Sequence, residues 1–331
     1  MVRKSEKRRT PKTRSTEYPP RANSYDTKPH RPWQNLTFDP RKPDPQFPNV
    51  PVQWLIRSLG WTLFAVAACT WLLICFLFWQ GSWQLLYHPS RKILATPQSS
   101  SIPFQIIHFD ASETGVTQLT AWWIPADNTI PQTAILVLHG ANGNVGDTLA
   151  LDRWLHALHQ SVFALDYRGY GASANGKPSE KAFLQDAQHA LLWLSATKHI
   201  PENNIVLWGR GLGGEIAVEL AVNHPGVAGV VLDQPDVHPL DAVLCDPRSH
   251  LVPARWLLQD RYNLSASARE LKIPSLWLLA DSAPPPDAYR SDPAAKTVFP
   301  LRMPVETDPQ ANDELLRWIS GLPSFAQHLS H

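Results

Sequence analysis

One uncharged apolar segment near the beginning of the chain limits what this sequence can fold into. The segment begins at Leu59, ends at Trp79, and contains no Asp, Glu, Lys or Arg. As an α-helix rising about 1.5 Å per residue, it is long enough to cross the roughly 30 Å hydrocarbon core of a bilayer. Trp61 at one end and Trp79 and Trp83 at the other are typical interfacial anchors. We predict a single transmembrane helix over residues 59–79, with a buried core helix and a signal peptide as the alternatives.

Ionic charge is distributed unevenly on the two sides of this segment. Residues 1–58 contain 13 Lys or Arg and 5 Asp or Glu. The rest of the chain contains 17 Lys or Arg and 24 Asp or Glu. The basic stretch is rich in Pro, Ser and Thr and has no apolar period, which predicts a disordered tail. The positive-inside rule places this tail in the cytoplasm and residues 84–331 outside, in the periplasm if the cell is Gram-negative. We therefore expect a single-pass inner-membrane protein, whose tail has anionic lipid headgroups as a possible partner.

The remaining composition excludes several kinds of site. The chain has three cysteines, and only Cys245 lies beyond the apolar segment, so residues 84–331 cannot close an internal disulfide. No Cys/His spacing typical of zinc is present, and we expect neither a metal nor a cofactor. Cys245 is expected to be a packed, unreactive thiol. We expect no nucleic-acid partner for the basic tail.

Beyond the apolar segment, short apolar runs alternate with segments of helical period. Runs without polar residues, at 134–138, 162–165, 205–208, 230–232 and 276–279, are typical of parallel strands that are covered on both faces. Residues 179–197 have apolar side chains at helical spacing, and Ser179 is a candidate N-cap. Shorter helices are predicted at 215–223 and 313–320. Strand–helix alternation of this kind predicts an α/β domain with a mostly parallel central sheet flanked by helices.

Three segments that follow predicted strands carry the strongest functional signal. They are the loop at 138–144, which reads LHGANGN, the turn at 166–173, which reads DYRGYGAS, and the strand-to-helix junction at 209–214, which reads GRGLGG. As a set, they resemble the membrane-anchored α/β-hydrolases related to the ABHD (α/β-hydrolase-domain) proteins. Residues 85–91, 122–125 and 257–262 fit the same pattern. The resemblance covers about residues 84–320 and implies the α/β-hydrolase fold.

The resemblance also implies where the catalytic machinery would lie. Members of that family place a serine nucleophile in G-x-S-x-G on a sharp turn between strand and helix. In this chain the serine position is occupied by Gly211, which cannot form an acyl-enzyme. The implied oxyanion-loop backbone groups are those of Ala141, Asn142 and Leu212. The implied motif residues are His139, Gly140, Gly209 and Gly213.

The other two catalytic positions also depart from the family. In the best register the acid position holds Ala283, so Asp281 or Asp287 is the possible substitute. Residues 304–312, where the family has its histidine, contain none, while His328 and His331 follow the last predicted helix. Ser173 and Ser282 are the alternative nucleophiles, but neither has a histidine at the distance that the family leads us to expect.

These departures predict a degenerate, noncatalytic serine hydrolase homologue that acts by binding a ligand or a partner. The ligand would be a small or lipid-like molecule held above the strand ends, and the partner would be a protein. An active ester or amide hydrolase with a rearranged triad is the alternative. A third hypothesis makes the outer domain a structural spacer for the basic tail.

Overall fold

The structure is a computed structural model that describes residues 50–111, 117–127, 133–282 and 284–323. The basic tail as far as residue 49, Ala283, His328 and His331 therefore lie outside the described residues. The chain divides into two compact units, Met1–Trp61 and Thr62–His331. The first unit contributes the beginning of the long N-terminal helix, and the second contains the sheet and the other helices described below.

The predicted apolar helix is present as α1, Val52–Gly81, which is long and apolar enough to cross a membrane. It begins before the predicted boundary at residue 59, so residues 52–58 are helical and do not belong to a disordered tail. Pro51 immediately precedes the helix and accepts hydrogen bonds from the amides of Trp54 and Leu55. One charged residue, Arg57, lies in this first part, and a single long cation near a helix end can extend to the membrane interface.

An eight-stranded sheet forms the centre of the second unit, in the order β10-β9-β8-β7-β4-β6-β3-β2. Strands β2 and β3 pair antiparallel, as do β3 and β6, and the remaining neighbours pair parallel. The strand bounds are β1 His88–Pro89, β2 Gln105–Ala111, β3 Thr117–Ile124, β4 Ala134–Leu138, β5 Asn142–Gly143, β6 Ser161–Asp166, β7 Ile205–Arg210, β8 Gly229–Asp233, β9 Ser275–Ala280 and β10 Lys296–Leu301. All five predicted strands are confirmed, and β1 pairs with β5 in a separate two-stranded ribbon.

Helices cover both faces of the sheet. After α1, their bounds are α2 Trp83–Leu86, α3 Leu149–Ala157, α4 Glu180–Thr197, α5 Gly213–Asn223, α6 Asp241–Leu244, α7 Ala254–Leu257, α8 Leu264–Arg269, α9 Asp287–Ser291 and α10 Pro309–Ser320. Ser179 caps α4 as predicted, because its hydroxyl accepts from the amide of Ala182. Helix α10 begins four residues before the prediction because Asp308 caps it and Pro309 occupies its first turn.

Two buried apolar clusters lie on opposite faces of the sheet because successive strand residues point to opposite sides. Leu136 and Leu207 belong to one cluster, whereas Ile135 and Val206 belong to the other. The strands β4, β6, β7 and β8 are buried along nearly their whole length. This explains their continuous apolar sequences and holds the loops at their carboxyl ends in fixed positions.

Candidate active site

The junction between β7 and α5 forms the sharp turn that the GRGLGG sequence predicts. Gly211 sits between the two elements with φ at 55°, in the left-handed region. Its amide donates to the carbonyl of Asp233, and its carbonyl accepts from the amide of Asp236. The turn is therefore fixed by the end of β8 and by the loop that follows it.

Glycines let backbone segments approach one another closely around this turn. A β-carbon on Gly209 would collide with the carbonyl of Gly213 and lie 2.5 Å from the Cα of Gly214. A β-carbon on Gly213 would collide with the carbonyl of Leu138, at the end of β4. A β-carbon on Gly140 would lie 3.5 Å from the carbonyl oxygen of Arg210. Gly209 and Gly213 thus let the elbow pack tightly against itself and against the end of β4, whereas the contacts at Gly140 are ordinary.

Gly211 differs from Gly209 and Gly213 because a β-carbon there would not collide with backbone atoms. A β-carbon built on it would lie 3.4 Å from Asp236 Oδ2 and 3.9 Å from the Cα of Gly140, which are ordinary contacts. Sterically, a serine would fit, apart from the strain of its positive φ. The side chain nearest to this position is the Asp236 carboxyl, whose pKa is raised by burial.

The loop after β4, which contains Ala141 and Asn142, is held by hydrogen bonds from Tyr170 and His88. The carbonyl of Ala141 accepts from the Tyr170 hydroxyl at 2.7 Å and from the His88 amide at 3.0 Å. The Asn142 side chain bonds His88 Nδ1 at 2.9 Å. The amide of Leu212 lies 3.9 Å from a β-carbon placed on Gly140, so the elbow and the loop face each other.

His139 is buried behind this loop. It is 3% exposed, and its Nδ1 lies 2.8 Å from the carbonyl oxygen of its neighbour Gly140. Burial lowers its pKa to about 4, so the ring is neutral near pH 7. It packs edge-on against Tyr167, with the ring centroids 4.7 Å apart. These contacts make His139 a buried, packed residue of the loop after β4.

A charged cluster that the sequence did not predict lies beside the elbow. Arg210 Nε lies 2.6 Å from Asp233 Oδ2, and Arg210 Nη2 lies 2.9 Å from Glu306 Oε2. The Asp233 side chain is 1% exposed and that of Glu306 is 13% exposed. Glu306 belongs to residues 304–312, where a histidine is expected. The available sequence signal was an arginine in the elbow motif, which by itself does not identify partners.

The two candidate acids lie on the surface and pair with arginines. Asp281 Oδ2 lies 3.2 Å from Arg302 Nε, and Asp287 Oδ1 lies 3.4 Å from Arg290 Nη1. Among the described residues, the structure gives neither carboxylate a hydrogen bond to a histidine. The role of Asp281 or Asp287 as a catalytic acid therefore stays a prediction without a base beside it.

Among the residues that the structure describes, neither alternative nucleophile has a hydrogen bond to a histidine. Ser173 is buried; its hydroxyl donates to the carbonyl of Asp166 at 2.5 Å and accepts from the amide of Thr120 at 2.8 Å. Ser282 is exposed in the loop after β9.

Cys245 is exposed at the end of α6, so the expectation of a packed thiol is wrong. The short α6 buries Val243 but leaves the residue that follows the helix on the surface.

Outside the elbow, the other segments that carry the resemblance converge on one another. The Tyr87 hydroxyl donates to Asp260 Oδ2 at 2.9 Å and lies 2.7 Å from the Tyr262 hydroxyl. Arg91 donates to the carbonyls of Tyr170 and Ser173. The short segments read separately from the sequence are therefore parts of one packed framework around the elbow.

A cavity of about 400 Å³ is lined by residues that begin with Val237, which directly follows Asp236. Its wall is formed by the loop after β8, by α6 and by the segment that links α7 to α8. His238, Asp241 and Arg255 supply polar groups, while Leu240 and Leu258 supply apolar surface. Among the residues that the structure describes, no group of three or more His, Cys, Asp or Glu is positioned to hold a metal ion.

Comparison with known proteins places this geometry among hydrolases. The sequence profile of the serine aminopeptidase S33 family matches residues 129–307, more than half of the chain. An α/β-hydrolase domain-containing protein of Arabidopsis thaliana, WAV2, is 34% identical over 207 residues, which are 60% of this chain and 65% of that protein. Bem46 of Schizosaccharomyces pombe is 30% identical over 146 residues, 44% of this chain and 48% of its own.

Relatives without an assigned function are similar to the same degree. The uncharacterized protein YfhR of Escherichia coli O157:H7 is 30% identical over 189 residues, 56% of this chain and 63% of that protein. The chain thus spans less than two thirds of the length of each of these three curated relatives.

Two solved structures share the fold at low sequence identity. The esterase Pf2001 of Pyrococcus furiosus is 16% identical with a TM-score of 0.56, over 71% of this chain and 97% of that one. An α/β-hydrolase of Vibrio vulnificus is 19% identical with a TM-score of 0.54, over 69% of this chain and 88% of that one. Identities this low speak to the fold alone.

Proposed function

Because the chain belongs to the α/β-hydrolases of the serine aminopeptidase S33 family, we propose that it is a membrane-anchored, noncatalytic member that acts by binding a ligand or partner. The proposal rests on one observation above all. The elbow keeps its left-handed backbone and its packing glycines, yet the position from which a nucleophile would project is Gly211. Without an oxygen or sulfur atom there, no covalent acyl intermediate can form on the elbow.

The surroundings of Gly211 support the same proposal. A serine hydrolase needs a histidine that takes the serine proton and a carboxylate that orients the histidine. In residues 304–312 the side chain that reaches the elbow is Glu306, and it is engaged by Arg210. An ion pair of this kind fixes the loop and does not transfer protons at neutral pH, because the guanidinium stays protonated.

The 400 Å³ cavity is the proposed binding site. Its volume lies within the range of small-molecule sites, and its mixture of leucines with a few charged groups suits an amphipathic ligand. Helix α1 would keep the domain at a bilayer, with residues 59–79 in contact with lipid, the N-terminus in the cytoplasm and the α/β domain on the outer side of the inner membrane. A lipid-like ligand would then be supplied at the surface where the domain sits.

An active hydrolase with a rearranged triad is the second candidate, and Asp236 favours it. The Asp236 carboxyl lies beside the nucleophile position, with Oδ2 3.4 Å from a β-carbon built on Gly211. A carboxylate there could activate a water molecule while backbone amides of the loop and of Leu212 stabilise an oxyanion. This mechanism would be abolished by Asp236→Asn and would not respond to a serine-directed phosphonate.

A binding measurement on the full-length protein in detergent tests the proposal. The probe is 1-O-hexylglycerol, an ether that cannot be hydrolysed, titrated calorimetrically. We expect saturable binding, at least about tenfold weaker in Leu240→Asp, because a charge at the cavity wall opposes an alkyl chain. Leu94→Asp, an exposed leucine elsewhere, is the control and should bind as the native protein does. No binding, or release of hexanoate from the matching ester, would contradict the proposal.

A further inference from the structure

One face of α1 is packed against the hydrolase domain, although most of the helix is exposed. Cys75 and Phe78 are 8% and 9% exposed and lie three residues apart on one helical face, and Ser82, which directly follows α1, is 6% exposed. Trp71 precedes Cys75 by one turn on this face. Its indole Nε1 donates to the carbonyl of Leu251 at 3.1 Å. The structure thus joins the anchor helix to a segment far along the chain.

That segment consists of residues 247–257 and is called here the tip segment. It contains a 3₁₀ turn, Pro247–Leu251, and α7, Ala254–Leu257. Just beyond it, Gln259 Nε2 donates to the carbonyl of Trp79 at 3.4 Å. Between Gln259 and Leu251 the chain therefore runs along α1 from the level of Trp79 to the level of Trp71.

The contact with Trp71 sets the depth of the tip segment. Trp71 lies eight residues before Trp79, which corresponds to about 12 Å along a helix axis. When residues 59–79 lie in the hydrocarbon core, the Leu251 carbonyl bonded to Trp71 lies deeper in the bilayer than Trp79. The packing of the domain against α1 then places the tip segment in the leaflet that contains Trp79.

Exposed side chains of the tip segment suit that environment. Trp256 is 84% exposed and Leu251 is 62% exposed. Arg248 is paired with Asp246, whereas Arg255 is exposed and its charge complements anionic headgroups. Tryptophan is enriched at membrane interfaces because its ring is apolar and its N–H can be hydrated.

A cavity between α1 and the tip segment has the same character. It measures about 280 Å³ and is walled by Ile74, Leu77, Phe78 and Leu251, with Arg248 as its charged residue. The Arg248 guanidinium is held by both oxygens of Asp246, at 2.8 Å and 2.9 Å. The cavity wall includes Ile74 and Leu77, which are exposed on α1.

We infer that the tip segment is a second membrane contact, in which Leu251 and Trp256 insert among phospholipid acyl chains beside α1 while Arg255 meets the headgroups. The hydrolase domain is then held to the bilayer at two points and cannot rotate freely about its anchor. The cavity that begins after Asp236 also includes Arg255 and Leu258, so its wall is continuous with the membrane contact. An amphipathic ligand could pass from the leaflet into that cavity.

Fluorophore labelling of single cysteines in the full-length protein tests this inference. The protein carries Cys69→Ala, Cys75→Ala and Cys245→Ser, is reconstituted in vesicles of phosphatidylcholine and phosphatidylglycerol, and is labelled at Trp256→Cys. Leu251→Cys is a second site in the same segment. Leu94→Cys, at a residue that is 79% exposed, is the aqueous control. A chain that keeps only Cys69, which is exposed on α1, is the membrane control.

We expect the label at position 256 to be quenched by doxyl-labelled lipid, as at Cys69. Quenching by iodide should be at least about threefold weaker than at position 94, because hydrocarbon excludes the ion. Iodide quenching equal to that at position 94 would overturn the inference. Protection from iodide without lipid quenching would also overturn it, because the segment would then be covered by a second copy of the chain. If Cys69 itself is open to iodide, α1 does not span the bilayer and the inference fails with it.

Discussion

Arg210 Nη2 lies 2.9 Å from Glu306 Oε2, so an ion pair joins the elbow to the loop that precedes the last helix. The same guanidinium holds the buried Asp233 through its Nε at 2.6 Å. In a serine hydrolase this loop would bring a histidine to the elbow. Here the connection between the two segments is retained, but its chemistry is that of a structural ion pair.

Removal of Arg210 should destabilise the domain strongly. Arg210→Met leaves the Asp233 carboxyl buried without its partner, and we expect the free energy of unfolding to fall by about 3 kcal/mol. Urea unfolding of the full-length protein in detergent measures the loss. Arg302→Met is the matched control, because the Arg302 and Asp281 side chains are 80% and 46% exposed. Its effect should stay within about 0.5 kcal/mol. Equal losses in the two variants would contradict the structural role of the cluster.

Glu215 should make the folded state less stable as pH rises. Burial is the largest cause that raises its pKa from 4.5 to about 8, and the charges of Glu180 and Glu219 add to it. The unfolded chain releases this proton near pH 4.5, whereas the folded chain keeps it until about pH 8. The unfolded state therefore binds fewer protons in that window, and the free energy of unfolding falls as pH increases through it.

Glu215→Gln measures this effect, because the amide imitates the neutral carboxyl. The variant should match the native protein below about pH 5 and exceed it above pH 8, by on the order of 3 kcal/mol. Glu270→Gln, at an exposed residue, is the control and should leave the pH profile of urea unfolding unchanged. A native profile that stays parallel to that of Glu215→Gln would show that Glu215 is ionised in the fold.

Removal of the hydroxyl should lower the stability of the protein at Tyr87 but not at Tyr167. The Tyr87 hydroxyl bonds Asp260 and Tyr262, so Tyr87→Phe should cost about 1–2 kcal/mol. The Tyr167 hydroxyl is buried without a hydrogen-bond partner among the described residues, and its ring stacks on Phe183. Tyr167→Phe keeps the stacking and should be neutral or stabilising. Thermal unfolding of the two variants provides the comparison, and a loss in Tyr167→Phe would reveal a hidden partner.

Alanine substitutions should affect stability differently at Gly209, which packs against backbone atoms, and at Gly211, which occupies the nucleophile position. In Gly209→Ala the new methyl group meets backbone atoms of Gly213 and Gly214, which cannot move aside. We expect a loss of about 3 kcal/mol or failure to fold. In Gly211→Ala the contacts are ordinary and the cost is the left-handed φ, about 1 kcal/mol. The reverse order of stability would mean that the elbow packs differently.

Local patterns were sufficient to predict much of the fold. Buried parallel strands such as β4 and β7 are apolar at nearly every position, and the Ser179 cap marks the beginning of α4, so both were readable from the sequence. The beginnings of α1 and α10 were less accurate, because Val52 and Pro309 start helices outside the uniform apolar patterns. The elbow at Gly211 was predictable from the family resemblance, because the motif at 209–214 is short and local.

The contacts around the elbow could not be predicted in the same way. Glu306 lies 96 residues beyond Arg210, and its reach depends on how the last loop folds over the sheet. Asp236 faces Gly211 only because the loop after β8 turns back to the elbow. The bond between Trp71 and Leu251 likewise spans 180 residues. Tertiary packing creates such pairs, and no local pattern in the sequence marks them.

Ester turnover tests the central claim most directly. The full-length protein in detergent is assayed with p-nitrophenyl acetate, butyrate and octanoate, alongside Gly211→Ser and Asp236→Asn. We predict that all three proteins hydrolyse these esters at the rate of buffer alone, since residues 304–312 supply no histidine to activate even a restored serine. Native turnover well above that rate, resistant to a serine-directed phosphonate and lost in Asp236→Asn, would contradict the noncatalytic account and assign catalysis to the carboxylate beside Gly211.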